Sequence, residues 1–410
     1  MHAGLEVPVR VLLSDGSGLT ARQCANLLAA AGHVVEVLSP DPLCLCRYTR
    51  HVRRVRRVPA YGRDPYGWLD AALAAFAAGR FDVLFPTQEQ VAVLSWAAGR
   101  LQRAGVTTAV PSFTALTQVQ DKISAFATLT RYGLPQPRTS VLDAETVWEE
   151  FPVFVKTPIG TATTGVRRVA SAPELRRFPR DGGSVLVQAP VEGALVMAQA
   201  VFADGEMVAC HTSLREQEGA SGGASHKRSV DLPEVTAHLS TLGAGLGWHG
   251  ALSADVILGP DGPVFIDVNP RLVEPANAHL AGVDLVGAML DVARSGRPGR
   301  SPTGRPGVKT HQLLLAVLGA AQHGGRRRDV AAALLAAGLR RGSYRDSVEE
   351  LTPLRGDPIA LVPLVGAAAA TLVRPAAWRW FAAGSVANYA LTPEAWREIT
   401  RRSPPDPAGR

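Results

Sequence analysis

One short stretch constrains the fold of this chain more than any other, because it holds two acids inside apolar segments. The sequence Gly-Pro-Asp-Gly at 259–262 separates two apolar runs, which predicts a tight antiparallel hairpin. A loop of three residues, 260–262, places Asp255 directly opposite Asp267, with Asn269 on the same face. Opposed carboxylates in apolar strands repel each other unless a cation lies between them. These oxygen donors therefore predict a Mg²⁺ site rather than an ordinary surface hairpin.

Two further features have the chemistry of a phosphate site. Arg271 follows the hairpin, where its guanidinium can meet a phosphate or a carboxylate through two hydrogen bonds. Upstream, an apolar run ends on Lys156 and enters a glycine- and threonine-rich loop, which suits a phosphate cradle of backbone N–H groups, hydroxyls and one ammonium. The loop residues expected to contribute are Gly160, Thr163, Thr164 and Gly165. A purely structural loop has the same composition, so that interpretation stays open.

The segment after residue 184 predicts a cleft between two lobes. A strand at 184–188 becomes a short linker and then a second strand, so backbone groups of the linker border a cleft. We expect backbone groups of Ala189 and Val191 to pair with the edge of a flat base, and Glu192 to accept a ribose hydroxyl.

A polar, glycine-rich segment at 213–228 predicts a mobile loop over the phosphates, with simple disorder as the alternative. Arg215 is expected to steer charge there, and residues 221–225 to offer N–H and hydroxyl donors. We interpret His226 as an exposed bystander and His249 as a structural residue.

The N-terminal part of the chain predicts a parallel sheet. Apolar runs at 7–15 and 33–38 enclose a helix pattern at 20–31, which together form a βαβ unit. The first loop lacks the third glycine of a dinucleotide fingerprint, so an NAD site is disfavoured. A later apolar strand ends in four polar residues at 87–90, which either bind a ligand at the carboxyl edge of the sheet or cap the next helix.

Composition bounds the class of protein. With 410 residues, 46% of them hydrophobic, the chain is long enough for two or three domains. Its four cysteines lack the spacing of a zinc site, which favours a reducing cytoplasm as the location. The net charge of +7 is accompanied by no recognisable nucleic-acid motif, so the arginine-rich run at 47–58 is interpreted as a solvated basic face or a funnel for anionic substrates.

Beyond residue 300 the sequence predicts a helical extension that follows a proline- and glycine-rich linker at 297–306. Helices are expected at 311–321, 330–339 and 359–373. No apolar run is long enough to cross a bilayer. Trp378, Trp380 and Phe381 follow the last of these helices, and a helix docked on the protein body is favoured over contact with a membrane surface.

The order of these motifs resembles the ATP-grasp superfamily, most closely its carbamoyl-phosphate-synthetase-like, carboxylate–amine ligase branch. The matching elements are Asp121-Lys122, PVFVK ending at Lys156, GTATTG at 160–165, LVQAPVEG at 186–193, SLREQEGASGGAS at 213–225, Asp255, and IDVNPR at 266–271. The resemblance implies an α/β and α+β fold with a Rossmann-like pre-ATP-grasp domain, a two-lobed ATP-grasp domain and a mainly helical C-terminal extension. The expected bounds are 1–115, 116–300 (lobes at about 116–190 and 191–300) and 301–410.

The resemblance also implies roles for particular residues. Lys122 and Lys156 would contact the ATP phosphates, and Gln188, Ala189 and Val191 the adenine. Asp255, Asp267 and Asn269 would bind one or two Mg²⁺ ions, with Mn²⁺ as a substitute, and Arg271, aided by Arg215, would bind the phosphoryl group. Two positions depart from the family pattern. Asp267 stands where glutamate is usual, and Leu195 replaces the usual ribose-binding glutamate, for which Glu192 is the expected substitute.

The implied activity is an ATP- and Mg²⁺-dependent ligase that activates a carboxylate as an acyl phosphate and joins it to an amine, releasing ADP and phosphate. The expected partners are small-molecule carboxylates and amines, and a homodimer is possible. The alternative is a nucleotide-binding regulatory or scaffold protein with this fold and little turnover.

Overall fold

The computed structural model describes residues 8–142, 148–161, 163–178, 183–295, 301–352 and 356–405. Within these ranges the chain forms three β-sheets with helices packed around them, and the mixed α/β fold class is as predicted.

The first sheet lies at the N-terminal end. Its strands are β1 (Arg10–Leu13), β2 (Val34–Ser39), β3 (Val52–Arg57) and β4 (Val83–Phe85), in the parallel order β3-β2-β1-β4. The helices of this region are α1 (Leu19–Ala30), α2 (Pro65–Gly79), α3 (Val91–Trp96), α4 (Ala98–Arg103) and α5 (Phe113–Thr117). The predicted basic run lies partly on the edge strand β3, where most of its arginines face solvent, while Arg56 pairs with Glu36 at 2.7 Å.

The second sheet forms a small lobe. After α6 (Lys122–Arg131), its strands are β5 (Thr139–Leu142), β6 (Val153–Lys156), β7 (Val166–Val169) and β8 (Val185–Gln188), and α7 (Ala172–Arg176) lies between β7 and β8. The strands are antiparallel in the order β5-β8-β6-β7. Alternate residues of β6 enter the lobe's own core, as Val153 and Val155 do, and this leaves Lys156 at the strand end.

The third sheet carries the predicted hairpin. Its strands in chain order are β9 (Ala194–Ala203), β10 (Glu206–Glu218), β11 (Ala224–Val230), β12 (Gly250–Gly259), β13 (Gly262–Asn269), β14 (Lys309–His311) and β15 (Ser347–Glu349), and their spatial order is β13-β12-β9-β10-β11-β14-β15. β9 is an almost continuous apolar run because it is buried on both faces. Its alternate residues, for example Phe202 and Val201, belong to two separate cores. The associated helices are α8 (Pro233–Leu246), α9 (Ala276–Ala281) and α10 (Leu285–Ser295).

The C-terminal extension is mainly helical, but it also contributes to the body of the protein. Its helices are α11 (Leu313–His323), α12 (Arg327–Gly338), α13 (Leu361–Val373), α14 (Trp378–Ala387) and α15 (Pro393–Arg401). The extension also supplies β14 and β15, which sequence periodicity missed because each has only three residues. α15 returns to the N-terminal region, where Trp396 packs 6.2 Å from Phe113. The predicted linker at 297–306 lies partly outside the described residues.

A buried ion network ties these regions together. The Nζ of Lys227 on β11 lies 2.7 Å from Glu274 and 2.8 Å from Glu350, which directly follows β15. Glu350 also accepts a hydrogen bond of 3.0 Å from Gln23 on α1. The network therefore joins the first sheet's helix, the large sheet and the C-terminal extension through a side chain that is almost wholly buried.

We expect Lys227→Met to destabilise the protein by about 3–5 kcal/mol, because two buried carboxylates lose their counter-charge. The measurement is urea unfolding followed by far-UV circular dichroism. Arg100→Met is the control, because it removes an exposed pair with Asp70 (2.6 Å), where an ion pair contributes little. Equal midpoints for Lys227→Met and the wild type would contradict the structural role of this network.

Candidate functional site

The hairpin of β12 and β13 pairs its two acids as predicted, but by a different route. Gly259 pairs with Gly262, so the loop has two residues, Pro260 and Asp261, instead of the predicted three. An uninterrupted ladder from that turn would place Asp255 opposite residue 266. The prediction of the turn was therefore wrong, and a second irregularity in the ladder compensates for it.

That irregularity is a β-bulge next to the acids. Val256 pairs with Phe265, whereas Asp255 pairs with Asp267, so Ile266 is the extra residue on its strand. The one-residue shift brings both carboxylates to the same face of the sheet. It also directs the Ile266 carbonyl at Lys156, whose Nζ donates to it at 2.6 Å.

Two lysines lie beside these carboxylates. The Nζ of Lys122 is 3.7 Å from Asp267, and Lys156 also donates to the Gln188 side chain at 2.8 Å. Burial and then the neighbouring Asp267 raise the pKa of Asp255 to about 6, although Lys156 and two arginines oppose this. Burial lowers the pKa of Lys156, and the attraction of Asp267 only partly offsets that effect.

The same face offers further oxygen donors. Asn269 lies opposite Ser253, two residues along from the paired acids. The hydroxyl of Ser253 is buried, and it has no hydrogen-bond partner among the described residues. A buried hydroxyl without a partner, beside two carboxylates and an amide, fits a site for a cation with bound water. No group of three or more His, Cys, Asp or Glu side chains in the described ranges is arranged to hold a metal, so a metal here relies on two carboxylates and neutral donors.

Arg271 is held from the N-terminal sheet. Its Nε donates to Glu89 at 3.1 Å, and both side chains are largely buried. Glu89 belongs to the polar run that follows β4. The helix-capping interpretation of that run is wrong, because no side chain caps α3. Thr87 instead contacts Ser14: its hydroxyl lies 3.4 Å from the Ser14 hydroxyl, to which its backbone N–H also donates at 3.0 Å. The carboxyl edge of the first sheet thus orients the guanidinium.

The predicted phosphate loop joins β6 to β7. Its backbone is compact, since a Cβ at Gly160 would lie 2.0 Å from the carbonyl oxygen of Thr164. Gly165 has a φ of 79°, which favours glycine. The Oγ1 of Thr163 lies 3.4 Å from the carbonyl oxygen of Ser221, so the loop tip reaches the large sheet. Ala162 lies outside the described residues.

The prediction of a mobile loop at 213–228 was wrong. These residues complete β10 and β11, which pair as far as Glu218 and Ala224 and are joined by a 3₁₀ turn at 220–222. Arg215 braces that turn, since it donates to the Gly222 carbonyl at 2.8 Å and pairs with Glu218 at 3.2 Å. Its positive charge also opposes the rise in the pKa of Asp255.

The two histidines of this region are both structural. His226 was expected to be exposed, but it is buried and stacks on His311 with 5.7 Å between ring centroids. This happens because β14 pairs with β11 and covers it. His249 contacts Asp204 at 3.0 Å, in keeping with the structural role expected for it.

The linker between the lobes lies against the hairpin. Ala189 cannot give its N–H to a ligand, because that group already donates to the Arg138 carbonyl at 2.9 Å. The Val191 N–H has no hydrogen-bond partner within the described part of the chain. Glu192 is exposed beside it, and Gln188 faces Lys156. The carbonyl of Ala189 and the N–H of Val191 are therefore the backbone groups that could pair with the edge of a nucleotide base.

Comparison with protein families matches residues 119–275 to the ATP-grasp domain. No curated protein gave a significant match. Among solved structures, the biotin carboxylase domain dimer of Hydrogenobacter thermophilus 2-oxoglutarate carboxylase, in complex with MgADP, ADP and bicarbonate, has a TM-score of 0.60 at 16% identity, covering 73% of each chain.

Two other solved structures have the same fold. L-amino acid ligase from Bacillus licheniformis has a TM-score of 0.54 at 16% identity, covering 72% of this chain and 75% of that chain. N5-carboxyaminoimidazole ribonucleotide synthetase from Thermotoga maritima has a TM-score of 0.53 at 15% identity, covering 73% of this chain and 79% of that chain. At these identities the likenesses show a shared fold, and they confirm the predicted fold class.

We expect Asp255→Asn to raise the thermal unfolding midpoint of the metal-free protein at neutral pH. The folded-state pKa of Asp255 is about 6 against an unfolded value of 3.8, so its carboxylate lowers stability as pH rises through that interval. The gain should therefore shrink as the pH is lowered towards 4. Asp261→Asn, at the exposed turn of the same hairpin, is the control. A midpoint below that of the wild type, or a gain that does not vary with pH, would contradict the destabilisation of the Asp255 carboxylate by burial and by Asp267.

Proposed function

Residues 119–275 of this chain form an ATP-grasp domain, and on this premise we propose that the protein is an ATP- and Mg²⁺-dependent carboxylate–amine ligase. It would activate a carboxylate as an acyl phosphate and join it to an amine. The observation that carries the proposal is the face shared by Asp255 and Asp267, which two lysines and Arg271 adjoin.

The first part of the proposal concerns the nucleotide. Lys156 and Lys122 bind its phosphates, aided by backbone and hydroxyl groups of the loop with Gly160, Thr163, Thr164 and Gly165. The Val191 amide and the Ala189 carbonyl pair with the adenine edge, next to Gln188, and Glu192 accepts a ribose hydroxyl. The burial of Lys156 supports this role, because a dry ammonium interacts strongly with phosphate oxygens.

The second part concerns the metal. Asp255, Asp267 and Asn269 would hold Mg²⁺, and the orphaned Ser253 hydroxyl supports a cation with bound water at this face. When bound, Mg²⁺ neutralises and positions phosphate charge. Asp267 is one carbon shorter than glutamate, and the bulge at Ile266 places it opposite Asp255.

The third part concerns the chemistry on the carboxylate. A carboxylate oxygen of the substrate attacks the γ-phosphorus, an O–P bond forms, the bridging P–O bond breaks and ADP leaves. The amine nitrogen then attacks the acyl carbon, the C–O bond to phosphate breaks, and the nitrogen loses a proton. Arg271, which Glu89 holds in place, binds the transferred phosphoryl group, and Arg215 adds positive charge from the turn of the neighbouring hairpin.

The experiment is ADP formation from Mg·ATP across a panel of amino acids and organic acids, with hydroxylamine present to trap acyl phosphates. The proposal expects a hydroxamate whose formation requires a particular acid. ATP binding without ADP or hydroxamate from any acid would instead favour the regulatory alternative.

We expect Asp267→Asn to lower the rate of ADP release at least about a hundredfold, because one metal-binding carboxylate is lost. Steady-state assays with the acid identified above measure this. Asp261→Asn removes one carboxylate from the same hairpin at its exposed turn and should retain the wild-type rate. Unchanged turnover in Asp267→Asn would remove that residue from the metal site.

Lys156→Ala should weaken ATP binding about tenfold or more, because a buried ammonium that faces the phosphates is lost. Calorimetric titration with ATP measures the affinity. Lys309→Ala is the control. Lys309 lies on β14, whereas Lys156 contacts the large sheet at Ile266 on β13. An affinity equal to that of the wild type would exclude Lys156 from the nucleotide site.

A further inference from the structure

Helices α13 and α14 present an apolar face to solvent, which we call the C-terminal apolar face. α13 has the sequence LVPLVGAAAATLV, and its one polar residue, Thr371, is buried and donates to the Ala367 carbonyl at 2.7 Å. The helix packs on the body through Leu364, Ala367 and Ala368. Its opposite side consists of Val362, Val365, Gly366, Ala369 and Val373. A helix on a protein surface normally places charged residues there.

The exposure of this face is large and continuous. Val365 is 61% exposed and Val373 is 71% exposed, and Trp380 on α14 continues the face at 65%. Ile359, at 50%, precedes α13, so the apolar surface extends along the whole helix, a length of about 20 Å. No described residue covers it. An apolar surface of this extent indicates an interaction site.

Positive charge borders the face at one end. The guanidinium of Arg374 lies 5.7 Å from the ring centroid of Trp380, and that of Arg379 lies 5.7 Å from Trp378. Arg327 reaches the same end, since its Nη2 donates to the Val373 carbonyl at 2.7 Å. No aspartate or glutamate occurs between residues 358 and 393. The face therefore combines apolar side chains, an exposed tryptophan and neighbouring arginines.

We propose that the C-terminal apolar face docks on an anionic lipid surface. Valine side chains and Trp380 enter the boundary between headgroups and acyl chains, and the arginines lie at the level of the lipid phosphates. In this arrangement α13 lies in the plane of the surface, with Val362, Val365 and Val373 towards the lipid.

The experiment is vesicle flotation of the full chain with phosphatidylcholine vesicles that contain or lack phosphatidylglycerol. Val365→Glu tests the apolar part and Arg379→Glu tests the charge. Ala77→Glu adds the same charge at an exposed position of α2 and is the matched control. Val365 is exposed, and glutamate favours a helix at least as well as valine, so folding should be retained and is checked by circular dichroism.

We expect binding to the anionic vesicles that salt weakens, and an affinity about tenfold lower for Val365→Glu and for Arg379→Glu. Ala77→Glu should bind as the wild type does. Three results would overturn the proposal: no binding to anionic vesicles, an equal loss in Ala77→Glu, or a vesicle-free dimer in sedimentation that Val365→Glu dissociates. The last result would assign the face to a second copy of the chain.

Discussion

The repulsion between two carboxylates held opposite each other in one hairpin is the constraint on which the rest of the site depends. Backbone pairing places Asp255 and Asp267 directly opposite each other on neighbouring strands. Positive groups converge on them from different parts of the chain: Lys122 from the start of α6, Lys156 from the end of β6, and Arg271 from the segment after β13. These positive groups offset part of the negative charge of Asp255 and Asp267, and a bound cation would offset the rest.

The position of Arg271 in the candidate site depends on contacts between residues that are far apart in sequence. Arg271 is held by Glu89, which follows a strand of the first sheet. The Lys227 network adds the C-terminal extension, because Glu350 lies beside β15 and also accepts from Gln23 on α1. The extension is therefore part of the framework around the site, as well as the carrier of a separate surface.

The sequence predicted those features whose causes are local. Alternating apolar residues and the Gly-Pro-Asp-Gly sequence predicted the hairpin and its acids, and the apolar run that ends on Lys156 predicted a strand followed by a loop. The bulge at Ile266 was not predictable, because it depends on how the ladder adjusts between neighbouring strands. The strand at residues 224–230 was missed because a glycine- and serine-rich run has low strand propensity, and because its partner β14 lies more than 80 residues later in the sequence. The contact between Glu89 and Arg271 likewise has no local signal.

The proposed function requires that the face with Asp255 and Asp267 binds a magnesium–nucleotide complex. Calorimetric titration of the protein with ATP, in Mg²⁺ and again in EDTA, tests it most directly. We expect saturable binding at one site per chain in Mg²⁺ and much weaker binding in EDTA, because the two carboxylates then repel the phosphates. No binding in Mg²⁺, or equal affinity in both buffers, would contradict it.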